Sequence, residues 1–152
     1  MNNTIYLTKQ GLQRARAELD YIIKTRRPAI MKHIRNAREA ASGDNEDNLK
    51  DEQFMIENRI IELEALIRKA TVVEKVDTNE VSIGAKVKLK YLDNDEVKTY
   101  SIVGAYEADP RKNKISYESP VARALIGKKV DDVATVALKF SRFDVMVLGI
   151  SA

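Results

Sequence analysis

The chain has 152 residues, 44% hydrophobic, 6% aromatic and 32% charged, with 26 lysines and arginines against 23 aspartates and glutamates for a net charge of +3. This composition fits one compact domain or two small ones and excludes wholesale disorder, and no apolar run approaches the roughly 20 residues of a membrane-spanning helix. With no cysteine and one histidine, disulfides, thiolate zinc sites and histidine-based triads lack their groups, so any chemistry falls to carboxylates, lysines and hydroxyls.

The opening MNNTIYLTKQ shows no basic stretch followed by an apolar run, and a cytoplasmic protein is expected. Thr8 is a helix N-cap candidate, with Leu7 and Leu12 at the positions of a hydrophobic staple. Leu12, Ala15, Leu19, Ile22, Ala29, His33 and Ala37 then step by three, four and seven, the stripe of one long helix. Over residues 9–42 such a helix extends about 50 Å at 1.5 Å per residue. Pro28 lies inside it, where it removes a hydrogen bond and crowds the preceding turn, so a kink is expected near residues 24–28. His33, Met31, Phe54 and Met55 are expected to pack in the core.

Gly43 is placed to end this helix and Asp44 to cap the next, whose stripe runs through Leu49, Ile56, Ile60, Leu63, Ile67 and Ala70. The two helices make an antiparallel hairpin. Glu74–Glu80 is polar and aperiodic and reads as a linker, dividing the chain into a coiled coil over 1–76 and a second domain over 77–152. There the period changes to two. Val87, Leu89 and Tyr91 alternate with lysines, Asp93-Asn94-Asp95 turns the chain, and Val97–Val103 returns. Strands are also expected around Ile115–Tyr117, Val133–Leu138 and Val145–Ile150, and a short helix from Ser119-Pro120 to near Gly127. The fold class is therefore α+β, a helical hairpin followed by a small sheet domain.

Charge is segregated along the hairpin. Residues 24–38 hold Lys24, Arg26, Arg27, Lys32, Arg35 and Arg38 and no acid, whereas residues 39–64 hold nine acids against Lys50 and Arg59. Carboxylates crowded at a narrow end, among them Asp44, Glu46 and Asp47, favour a divalent cation, and the basic stretch behind them suits a phosphate backbone. The same acids also suit a helix start, and the same bases suit a solvated face or partners for the acids opposite. Tyr91, Tyr100, Tyr106 and Tyr117 are expected to pack the sheet rather than stack on bases.

Arg26-Arg27-Pro28-Ala29-Ile30, Ala37-Arg38-Glu39, Arg59-Ile60 with Leu63-Glu64, Ile83-Gly84-Ala85-Lys86-Val87, Ile102-Val103-Gly104, Glu107-Ala108-Asp109 and SPVARALIGK from Ser119 to Lys128 follow one another along the chain. These blocks, in this order, resemble the bacterial transcript cleavage factors of the Gre family. The resemblance implies a coiled-coil N-terminal domain and an FKBP-like C-terminal domain that docks on RNA polymerase through the region of Ser119, Pro120 and Arg123. It also implies that the coiled coil enters the secondary channel. There Asp44 with Asp47 or Glu46 positions a Mg²⁺ ion shared with the polymerase, and Lys24, Arg27, Arg35 and Arg38 face the nascent RNA. Cleavage of backtracked RNA then belongs to the polymerase site, and the chain itself is an accessory factor, expected as a monomer. The family tip reads G-D-x-x-E-N-x-x-Y; here Asp47 stands for the glutamate and Asp51 for the aromatic, and the arms between Arg38 and Arg59 are a few residues shorter.

The alternative is a channel binder that modulates or inhibits the polymerase without supporting cleavage. A prolyl isomerase reading of the second domain finds few aromatics to line a pocket, and a generic coiled-coil adaptor would engage partners other than polymerase.

Overall fold

A computed structural model describes residues 4–40 and 46–152. The chain forms two compact units: Leu12–Ala70, and Met1–Gly11 together with Thr71–Ala152. Residues 4–11 thus group with the sheet and not with the hairpin. The reason is a two-stranded parallel pairing that periodicity does not announce. In it β1 (Tyr6–Thr8) lies beside β2 (Thr71–Val73), with Leu7 opposite Val72 and Leu7 fully buried.

The hairpin unit holds α1 (Lys9–Tyr21) from Leu12 onward, a π-helical turn (Ile22–Arg26), α2 (Arg27–Glu39) and α3 (Glu46–Lys69). Pairs Glu18–Arg59, Arg27–Glu57 and Arg38–Glu46 run in opposite chain directions, as in an antiparallel hairpin. Its interior is narrow: Ile22, Ile30, Ile34, Ile56, Ile60 and Leu63 are buried, each contributing about 1.5–3 kcal/mol.

The irregularity expected at residues 24–28 is this π turn, closed by the Arg27 N–H on the Ile22 carbonyl. A π turn accommodates one more residue than an α turn, and it places Pro28 in the first turn of α2, where its missing N–H costs nothing. The extra residue also shifts the stripe. Ile22 is followed inward by Ile30 and Ile34, while Ala29 and His33 are exposed, contrary to the constant-period expectation. Met31, Phe54 and Met55 are likewise exposed, at 48%, 67% and 70%, because each flanks an inward isoleucine, Ile30 or Ile56, and so points off the seam.

The sheet unit carries five strands in the order β5-β4-β3-β7-β6: β3 (Lys86–Tyr91), β4 (Val97–Val103), β5 (Lys114–Ser116), β6 (Val133–Ala137) and β7 (Arg142–Ser151). All neighbours are antiparallel except β4 and β5. Alternation puts Val87, Leu89, Ile102, Ala134, Val136, Val145 and Val147 on one face, where α4 (Pro120–Leu125) adds Ala122 and Leu125 to the core. The 93–95 turn forms as the sequence suggests, with Asp95 at φ +60° and the Glu96 N–H bonded to Asn94 Oδ1. Tyr91 and Tyr100 share a hydroxyl hydrogen bond of 2.9 Å and Tyr91 stacks on Phe143, so these tyrosines do pack the sheet.

Candidate functional site

The last turn of α2 and the first turn of α3 bring together opposite charges that complement the helix ends. Arg38 lies where backbone carbonyls are unsatisfied, and Glu46 and Asp47 lie where free N–H groups point outward. Arg38 Nε donates to Glu46 Oε1 at 2.8 Å, and Lys50 Nζ lies 3.5 Å from the same oxygen, one turn on. The Arg38 hydrogen bond, with help from Lys50, holds the Glu46 carboxyl below its ordinary range. Asp47 is exposed and has no ion-pair partner among the described residues. Asp44 lies outside the described residues.

The basic stretch divides into paired and unpaired members. Arg27 grips Glu57 with two parallel bonds, Nε and Nη2 each at 2.9 Å, the fork geometry that guanidinium and carboxylate favour. Lys24 pairs with Asp20 at 2.8 Å along the same helical face, and Arg26 reaches Glu52 at 3.8 Å. Lys32 and Arg35 are exposed and make no ion pair with another described residue. Arg59 is held on Glu18 by bonds of 2.8 and 3.2 Å and by Glu62 at 3.2 Å, and the Glu18 contact raises its pKa further above the usual guanidinium range. Of the four cations that the family resemblance assigns to RNA, then, Arg27, Arg38 and Lys24 already serve the hairpin.

Among the described residues no cluster of three or more histidines, aspartates or glutamates could hold a metal ion. What the hairpin presents is Asp47, exposed beside a neutralised Glu46.

In the sheet unit Ser119 Oγ accepts the Ala122 N–H at 3.3 Å, and Pro120 opens α4 from the position where its missing N–H is harmless. Ser119, Pro120 and Arg123 sit within one turn, with Pro120 and Arg123 exposed. One carboxylate escaped sequence reasoning. Glu107, 5% exposed, accepts the backbone N–H groups of Thr8 at 2.9 Å and Gly104 at 3.2 Å and the Thr8 hydroxyl. Its role is structural, and only its place in the Glu107-Ala108-Asp109 block marked it.

Comparison with known proteins matches both parts of the chain. Residues 5–72 fit the family model described as "Transcription elongation factor, N-terminal", and residues 76–152 the one described as "Transcription elongation factor, GreA/GreB, C-term". The transcription elongation factor GreA of Thermosipho africanus is 43% identical over 152 residues, covering 97% of this chain and 96% of that one. That of Thermodesulfovibrio yellowstonii is 39% identical over 158 residues, covering 99% of each. A crystal structure of GreA factor homolog 1 (Gfh1) of Thermus thermophilus aligns with a TM-score of 0.45 at 26% identity, over 99% of this chain and 100% of that one. With both family models matched in order and relatives near 40% identity over essentially full length, the chain belongs to the GreA/GreB family of transcription elongation factors.

Proposed function

We propose that this chain docks on RNA polymerase, inserts its hairpin into the secondary channel and stimulates the polymerase to hydrolyse nascent RNA in backtracked complexes. The observation that carries the reading is the division of labour at the start of α3, where Glu46 is held by Arg38 and Lys50 while Asp47 stands exposed and unpaired among the described residues. Asp47, with Asp44 three residues before it, is the pair of acids assigned to the shared Mg²⁺, and Glu46 closes the hairpin instead.

The donor set fits a shared site. Mg²⁺ is commonly held by one or two protein carboxylates with substrate phosphate and water completing its octahedron, and Asp44 with Asp47 would supply two such carboxylates. A bound magnesium ion supplies stabilisation of the attacking and leaving oxygens in phosphodiester displacement. The chain's own residues do the positioning. Asp47, exposed at the start of α3, and Asp44 are the acids that would hold the ion. Arg35 and Lys32, exposed and without an ion-pair partner among the described residues, attract RNA phosphates; Lys24, Arg27 and Arg38 do so while bracing the arms. Ser119, Pro120 and Arg123 lie on the surface assigned to polymerase docking.

Backtracked complexes of purified polymerase test this directly. Transcript shortening that requires Mg²⁺, disappears with Asp44→Ala and survives Glu46→Gln within about twofold is the expected result. An Asp47→Glu variant, whose carboxylate reaches about 1 Å further, is expected to cleave faster. A second reading rests on Asp47 being one methylene shorter than the glutamate of the family tip: a channel binder that inhibits synthesis and leaves the RNA intact. Full-length transcript with every variant, together with slowed synthesis, would establish that reading and overturn the first.

A further inference from the structure

The two edges of the five-stranded sheet are guarded differently. At one edge β5 has three residues and opens on Lys114, a short strand carrying a charge, which is how sheets discourage pairing with foreign strands. At the other edge β6 has five residues; residues 133–138 contain no charge and no proline, and the β6 pairing with β7 runs without a bulge. Two bonds at its ends fix its parity. The Leu138 N–H donates to the Ser141 carbonyl at 2.8 Å and the Val147 N–H to the Asp132 carbonyl at 2.9 Å, so Ala134 and Val136, between them, turn their main-chain groups toward β7. The N–H and C=O groups of Val133, Thr135 and Ala137 therefore point away from β7, and β6 pairs with no other strand. Exposed apolar side chains flank this row: Val130 and Val133 at its start, Leu138 at its end, and Phe140 in the turn to β7, 90% exposed.

We infer that β6 is a dimerisation edge, pairing antiparallel with β6 of a second copy of this chain about a two-fold axis at Thr135. That register sets Thr135 opposite itself and Val133 opposite Ala137, and the three pairs exchange about six main-chain hydrogen bonds through the groups left free. The ends match as well. Counted outward from the axis, Lys139 of one copy falls opposite Asp131 of the other, and Phe140 opposite Val130, each twice by symmetry. Asp131 and Lys139 are exposed and make no ion pair with another described residue. This self-matching order of charge and apolar groups selects a second copy over an unrelated strand. Each copy has one such edge, so association closes at two. The strip is about 17 Å long at ~3.4 Å per residue and buries less than the roughly 1,200–2,000 Å² of a stable interface, so the dimer is reversible and the chain is a monomer when dilute.

The test is sedimentation velocity of the full chain from about 1 μM to about 1 mM, a range that spans weak association. The mass should rise from 17.2 kDa toward twice that value and no further. The double variant Val133→Lys, Ala137→Lys, at two exposed positions, sets like charges opposite each other and should require at least tenfold higher concentration to associate, with an unchanged circular dichroism spectrum as the check on folding. The chain has no cysteine, which allows a positional test. Residues paired across the axis have Cα atoms about 5.5 Å apart, within disulfide range, so Thr135→Cys should cross-link on mild oxidation at least tenfold faster than Thr99→Cys, an exposed position on β4. A mass that stays at 17.2 kDa throughout, growth beyond the dimer, equal association by the lysine variant, or equal cross-linking at the two cysteine positions would each overturn the assignment.

Discussion

Glu107 closes the N-terminus of α1 from 99 residues away: its carboxylate accepts the Thr8 backbone N–H at 2.9 Å, while the Thr8 hydroxyl caps the Gly11 N–H at 3.1 Å. In an ordinary capping box the third helical residue is a glutamate that reaches back to the N-cap N–H. Here that residue is Gly11, and a carboxylate from another part of the chain does its work. The substitution has a steric counterpart, since a Cβ on Gly11 would overlap the Glu107 carboxyl group.

Removing Glu107 should therefore be costly. Glu107→Ala leaves the Thr8 and Gly104 N–H groups without their acceptor in a nearly dry place, and a loss of about 3 kcal/mol is expected. Glu107→Gln, which keeps one acceptor oxygen, should lose roughly half as much. Urea unfolding midpoints at constant m-value check the order.

Gly11→Ala should destabilise the chain, although alanine in place of glycine inside a helix ordinarily gains about 0.5–1 kcal/mol. The sign is reversed by the Glu107 side chain that occupies the space. In a double-mutant cycle with Glu107→Ala the penalty should vanish and the ordinary gain return.

The π turn and Pro28 should prove coupled. Deleting Thr25 converts residues 22–34 to a regular helix in which Ile22, Ile30 and Ile34 keep a common face, but it returns Pro28 to a helix interior at a cost of about 3 kcal/mol. Adding Pro28→Ala to the deletion should restore most of the lost thermal stability, far more than the same substitution changes the parent chain. Equal effects in both backgrounds would remove the link.

The Glu46 carboxyl should titrate below its ordinary value of 4.5, because Arg38 and Lys50 favour the charged form. A depressed folded-state pKa means stability that is present above the unfolded value and is lost as pH falls through the folded one. The pair should thus loosen only in acid. NMR titration of Glu46 should show a midpoint that rises on Arg38→Ala, and added salt should weaken the effect because the pair is exposed.

Much of this was legible without coordinates. Period-two alternation at Val87 and Leu89 located β3, Ser119-Pro120 marked the start of α4, and the stripe through Ile56, Ile60 and Leu63 set the inner face of α3. The three-residue strands β1 and β2 were not, since a segment that short carries no measurable period. The outward turn of Ala29 and His33 was also hidden, because a periodicity argument assumes constant helical pitch and one π turn changes the phase of everything after it. At the candidate site, acid type and spacing named Asp44, Glu46 and Asp47 but not which of them is free.

Sequence alone determined the alternation of apolar and polar residues, the caps and the segregation of charge along the hairpin, because these are local properties of a chain with known helical and strand periods. Tertiary structure alone decided that Arg38 and Lys50 claim Glu46, that Arg27 claims Glu57, and that Glu107 completes the cap of α1. Each of these depends on a partner brought near by folding, and a carboxylate's role follows from which donors reach it first.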